Sequence, residues 1–127
     1  MSSTVSIRNT TKGKLPRLPF SDMKNAVLGK DYELSLAFVT PKESHKINLA
    51  TRGKDKPTNI LSFPLEKKSG EIVICPAYAK KEAPQFEREY ENYIAFLFIH
   101  GLIHLKGFDH GVTMENIEKK FRKQFSI

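Results

Sequence analysis

Three of the four histidines in the chain fall in one short run, His100-Gly101-Leu102-Ile103-His104-Leu105-Lys106-Gly107-Phe108-Asp109-His110. Imidazole nitrogen is a good ligand for zinc and its transition-metal neighbours. His100 and His104 are four residues apart, which on a helix places them on one face, one turn apart. The rise between them is about 6 Å, and both rings can reach a single ion at about 2.0–2.1 Å per nitrogen. Gly107 suits the left-handed residue that ends a helix, after which the chain can double back and bring in His110. Three histidines leave one tetrahedral position open, the arrangement of a catalytic site. One Zn2+ per chain is expected, and other transition metals accept the same ligands.

A plainer reading competes with each residue. A lone histidine on an apolar helix is usually a core residue whose two ring nitrogens find partners, and it is the set of three that favours metal. The spacing is that of the metzincin signature H-E-x-x-H-x-x-G-x-x-H. Gly101 stands where that signature has its general-base Glu, so a peptidase mechanism lacks its usual base. Asp109 either accepts a hydrogen bond from a ligand imidazole and fixes its tautomer or serves as a turn residue. His45 reads as a surface or partly buried side chain.

The elements that must position these residues follow from periodicity. Tyr93 to Leu105 is apolar nearly all round, so a long helix from about Gln85 to Leu105 is expected at the centre of the fold. Val5–Ile7 reads as a strand, Phe20–Leu28 as a helix stopped by Gly29, and Glu33–Val39 as an alternating strand. Thr40-Pro41-Lys42-Glu43 is a capping-box helix start, with the helix running to about Ala50 and Arg52 in the loop Thr51–Thr58. Asn59–Phe63, ending at Pro64, and Glu71–Cys75 suggest a hairpin. Pro76–Ala83 is a short helix, and Thr113 is expected to cap a last one with Met114, Ile117, Phe121 and Phe125 on one face. About four strands and four helices in mixed order predict an α+β fold, a single mixed sheet covered by helices.

The 127 residues are expected to form one domain, residues 1–127, large enough for a core without structural metal or disulfides. The net charge of +7 favours polyanionic partners. Arg8, Lys12, Lys14, Arg17, Lys24 and Lys30 face only Asp22 in the first thirty residues. Cys75, the single cysteine, follows an apolar run and reads as a small buried hydrophobe. The start lacks a secretory apolar core and no stretch suits a bilayer, so a cytoplasmic location without membrane contact is expected.

The histidine segment closely resembles the H-G-x-L-H-L-x-G-Y-D-H motif of the YbeY family. Two further blocks agree and come in family order. Ile47-Asn48-Leu49-Ala50-Thr51-Arg52 with Pro57-Thr58-Asn59-Ile60-Leu61-Ser62-Phe63-Pro64 resembles L-N-x-x-x-R…P-T-D-V-L-S-F-P. Gly70-Glu71-Ile72-Val73-Ile74-Cys75 resembles G-D-I-V-I-S. The resemblance covers roughly residues 34 to 121. It implies a zincin-like α+β fold with a central metal-binding helix, zinc on His100, His104 and His110, and an active-site role for Arg52. It further implies a metal-dependent endoribonuclease of single-stranded RNA that serves ribosomal RNA processing, including the 3′ end of the small-subunit RNA, and ribosome quality control. rRNA precursors, ribosomal particles and ribosome-associated proteins would be its partners. Asn59 in place of the family's Asp, Ile103 for Leu and Cys75 for Ser are departures.

On its own, a loop arginine is ordinarily solvated. Beside a metal, Arg52 can pair bidentately with a phosphate. Lys54, Lys56 and Lys106 are candidates to track an RNA backbone, each with a bland reading as surface charge. Two rival functions are a non-catalytic ribosome-assembly or RNA-binding factor, and a metal-dependent hydrolase of another ester or amide bond.

Overall fold

The computed structural model describes residues 5–108 and 111–127. Asp109 and His110, and the roles expected of them, lie outside the described residues. The elements run β1 (Val5–Asn9), α1 (Phe20–Leu28), β2 (Glu33–Phe38), α2 (Pro41–Arg52), β3 (Ile60–Glu66), β4 (Ser69–Ile74), α3 (Pro76–Glu82), α4 (Tyr90–Lys106) and α5 (Val112–Gln124). A 3-10 turn, Ala83–Phe86, joins α3 to α4.

The four strands form one mixed sheet in the order β1-β2-β4-β3. β1 and β4 both run parallel to β2, and β3 returns antiparallel to β4 as the expected hairpin. Alternation along β2 sorts the two faces. Leu34, Leu36 and Phe38 join Ile72, Ile74 and the buried sides of α1, α4 and α5 in the main core. Ala37 and Val39 face the other way, against Leu61, Val73, Cys75, Ile47 of α2 and Tyr78 of α3. The sheet is thus covered on both faces. α4 is buried along most of its length, including Ile94, Phe98, Ile99, Leu102 and Ile103 at 0% exposure. The single α+β domain with a helix-covered mixed sheet matches the expected architecture.

Several boundaries differ from the sequence expectation, each for a local reason. α2 continues to Arg52, and only Gly53, left-handed at φ 68°, ends it; Arg52 is a helix-terminal residue and not a loop residue. β3 does not stop at Pro64 but pairs it with Gly70 and continues to Glu66, because an edge strand tolerates a residue with no amide to donate. α4 begins at Tyr90 instead of Gln85. The amides of Glu87 and Arg88 close back on the carbonyls of Pro84 and Ala83, and Glu87 is left-handed at φ 54°, which breaks the helical path. Thr113 lies inside the first turn of α5, and Gly111 takes the capping position instead. Lys24 is not surface charge: it is 0% exposed, and its ammonium donates to the carbonyls of Gly29 and Tyr32 at 3.0 and 2.8 Å. Burial lowers its pKa and nearby Asp31 opposes that shift.

No helix among the described residues is long and apolar enough to cross a membrane. Cys75 is buried as expected, at 1% exposure, and burial raises its thiol pKa.

Candidate active site

α4 carries His100 and His104 to the surface at the one side of the helix not covered by core. Their rings meet edge to face with centroids 4.6 Å apart, and the two Nε2 atoms are 3.1 Å apart. What holds each ring is the atom on its far side. His100 Nδ1 lies 3.2 Å from Glu118 Oε1 on α5. His104 Nδ1 lies 3.1 Å from the carbonyl oxygen of Phe108. An ionised carboxylate and a carbonyl only accept, so both Nδ1 atoms carry the proton and donate. The two Nε2 atoms are then brought side by side, close enough to share a proton or to meet one bound cation. Two nitrogens at about 2.0–2.1 Å from one tetrahedral ion stand roughly 3.3 Å apart, close to the spacing seen. The donor set therefore fits a transition metal. Among the described residues, no third His, Cys, Asp or Glu completes the set.

Glu118 is itself held. It is 8% exposed, and Arg122, one turn on, donates to the same Oε1 at 3.4 Å. A buried carboxylate needs such a partner to stay ionised.

Both histidines line a cleft of about 620 Å³ together with Thr51, Arg52, Thr58 and Asn59. Arg52 ends α2, and the loop after it, which brings Thr58 and Asn59 here, is clamped from the same helix. Ser44 Oγ donates to the carbonyl of Thr58 at 2.7 Å and accepts its amide at 2.9 Å. Asn48 Nδ2 donates to the carbonyl of Lys56 at 2.8 Å. Both clamping residues are 1% exposed. Asn59 Nδ2 and the Tyr93 hydroxyl each donate to Glu82 Oε1, at 2.9 and 3.0 Å. Burial first, then the bond to Glu82, pushes the Tyr93 pKa up to about 12. An aspartate at 59 could not donate, so the amide is what this carboxylate requires.

The opposite wall explains the missing general base. A Cβ on Gly101 would stand 3.0 Å from Ser62 Oγ and 3.1 Å from the Cδ1 atoms of Ile60 and Ile72. α4 rests on β3 and β4 at this residue, so a side chain there would force these neighbours to give way.

With this geometry stands a match over nearly the whole chain: the sequence model of the family Endoribonuclease YbeY covers residues 6–127. The chain belongs to the Endoribonuclease YbeY family. It is 33% identical over 119 residues to the Endoribonuclease YbeY of Acinetobacter baumannii, spanning 85% of this chain and 75% of that one. It is 38% identical over 108 residues to that of Alkaliphilus metalliredigens, covering 76% and 70% of the two chains. A solution structure from Thermotoga maritima superposes with a TM-score of 0.73 at 27% identity, over 96% of this chain and 89% of that one.

Of the residues singled out from the sequence of this YbeY-family chain, the fold brings His100, His104 and Arg52 into one cleft. Lys54 and Lys56 are exposed on the loop after α2 but do not line it. Lys106 points elsewhere, its ammonium donating to the carbonyl of Val27 at 2.9 Å. His45 is half-exposed and pairs with Asp55 at 2.6 Å. Glu118 was missed by sequence reasoning. It lies eighteen residues beyond His100 on another helix, and its only signal was a carboxylate one turn after Met114 on the inward side of α5. The carbonyl of Phe108 leaves no side-chain signal at all.

Proposed function

We propose that this protein is a metal-dependent endoribonuclease that cuts single-stranded RNA, with ribosomal RNA precursors as its substrates. The observation that supports this best is the shared Nε2 point of His100 and His104 inside a cleft that also holds Arg52. His100 and His104 would hold the ion, zinc by ligand type, and His110 is proposed as the third ligand. A bound divalent ion supplies charge that polarises a phosphoryl oxygen and acidifies water. Glu118 and the Phe108 carbonyl keep the two Nδ1 protons in place, so both Nε2 atoms remain ligands. Arg52, anchored at the end of α2, presents a guanidinium that can pair bidentately with a phosphate and oppose charge that develops there. Gly101 leaves the position of a peptidase base without a side chain, which argues against amide hydrolysis. The basic balance of the chain suits a polyanion. A cytoplasmic site of action and contact with ribosomal particles complete the reading.

The test is metal content by mass spectrometry, on protein purified without an affinity tag, beside a His104→Ala variant. About one equivalent of zinc in the parent protein and little in the variant is expected. Cleavage of single-stranded RNA should stop with chelator and return with zinc. Folded protein that takes up no metal would leave an RNA-binding assembly factor as the better reading.

A further inference from the structure

A second cleft of about 400 Å³ opens beside the first and shares His100, Asn59 and Ile60 with it. Its character is different. Phe86, Tyr93 and Phe96 line it, and their rings form a near-parallel group. Phe86 lies 5.1 Å from Tyr93 at 20°, and Tyr93 lies 5.8 Å from Phe96 at 14°. Tyr93 is buried at 2% exposure, so it anchors the group to the core. Phe86 is 51% exposed, so much of its ring is open to solvent.

One guanidinium lines the cleft and a second lies behind it. Arg122, in the cleft wall, has its Cζ 5.2 Å from the centroid of Phe96, and Arg88, outside the lining, has its Cζ 4.5 Å from the same centroid. Arg122 is offset by Glu118. The described hydrogen bonds of Arg88 go to the Asn92 side chain and the main-chain oxygen of Ile127, the last residue of the sequence. Burial and the charge of Arg122 both lower the pKa of Arg88. Glu115 at the rim is engaged by Lys119 at 3.7 Å. Parallel aromatic rings flanked by arginines are the elements from which proteins build platforms for unpaired bases.

We propose that the Phe86–Tyr93–Phe96 shelf is a nucleobase subsite, which stacks one unpaired base of the substrate next to the phosphate held between His100 and Arg52. This rests on the RNA-cleaving reading of the first cleft and deepens it. Because the two clefts meet at His100 and Asn59, a strand can place a phosphate in one and its neighbouring base in the other. The shelf would require that base to be unpaired, since a base within a duplex has no free face. Single-strand selectivity then has a structural source separate from the phosphate site.

The test uses the full chain and short single-stranded 2′-O-methyl oligoribonucleotides, checked by gel to stay intact with the protein, each carrying one 2-aminopurine at a different position. Binding is followed by anisotropy and stacking by quenching of the 2-aminopurine. The parent protein should quench one position of the series strongly. Phe86→Ala and Phe86→Leu should abolish that quenching and weaken binding about tenfold, with an unchanged salt slope because no charge is lost. Phe86→Tyr should restore both. Circular dichroism confirms that the half-exposed position tolerates the changes. If the parent protein cuts RNA but Phe86→Ala and Phe86→Leu bind and quench as it does, the subsite is wrong and the cleavage reading stands. If the parent protein neither binds nor cuts single-stranded RNA, the cleavage reading fails and the subsite with it.

Discussion

Glu118 Oε1 stands 3.2 Å from Nδ1 of His100, joining α5 to the residue of α4 that faces the cleft. The carboxylate does for His100 what the Phe108 carbonyl does for His104. Both fix the ring so that Nε2 is the atom turned toward the other histidine, the proposed ligand atom. The two supports differ in kind, because a carboxylate also raises the basicity of the imidazole. Glu118→Ala should therefore lower zinc affinity about 10–100-fold, with Glu118→Gln falling between it and the parent protein. Competition with a coloured chelator measures this without any turnover. Equal affinities in all three proteins would show that Glu118 supports only Arg122 and the packing of α5.

Arg52 should separate binding of metal from chemistry. It lines the cleft from the end of α2, and its proposed role is to meet phosphate. In Arg52→Ala, zinc content should stay near one equivalent while RNA cleavage falls about 100-fold, the scale for losing one group that stabilises developing charge. Single-turnover cleavage with matched zinc loading reads this directly. Loss of zinc in this variant would place Arg52 among the determinants of the metal site instead.

Gly101 is a packing requirement. A side chain there meets Ser62, Ile60 and Ile72 at 3.0–3.1 Å. Gly101→Ala gains about 1 kcal/mol of helix propensity but overpacks a contact worth about 1–3 kcal/mol, so a net loss of about 1 kcal/mol is expected in urea unfolding. Gly101→Glu adds a buried, unpaired charge and should cost about 4 kcal/mol or more. It should also fail to confer peptidase activity. A stable Gly101→Glu protein would mean that α4 does not rest on β3 as closely as described.

Glu43 ties the capping box of α2 to the first strand. Its Oε1 accepts from Thr10 Oγ1 at 2.6 Å and from the Thr40 amide at 3.0 Å, and these bonds, the Thr10 one foremost, lower its pKa. A carboxyl with a depressed folded pKa stabilises the fold above its unfolded value of about 4.3, and that contribution is lost as pH falls through the folded value. The stability gap between the parent protein and Glu43→Gln should be constant at neutral pH and close as the solution is acidified below about pH 4. Urea midpoints from pH 7 down to pH 3 follow it, and a gap independent of pH would contradict the assignment.

The sequence by itself determined the local elements and the ligand geometry that one helix can encode. Alternation marked β2, two short runs parted by a polar turn marked the β3–β4 hairpin, Thr40 and Glu43 announced the start of α2, and the apolar run around Ile99 announced a buried α4. His100 and His104 needed only the four-residue repeat of a helix to converge. These are short-range regularities, set by backbone geometry within a turn or a pleat. Only the tertiary structure decided what lies across the gaps between elements. Glu118 reaches His100 because α5 packs on α4; Thr58 and Asn59 join Arg52 in the cleft because Ser44 and Asn48 clamp the loop after α2; Phe86 meets Phe96 because a left-handed Glu87 delays α4 until Tyr90. Side-chain contacts between elements depend on packing angles and loop paths, which no local pattern specifies, and that is where the supports of the site and the aromatic shelf were hidden.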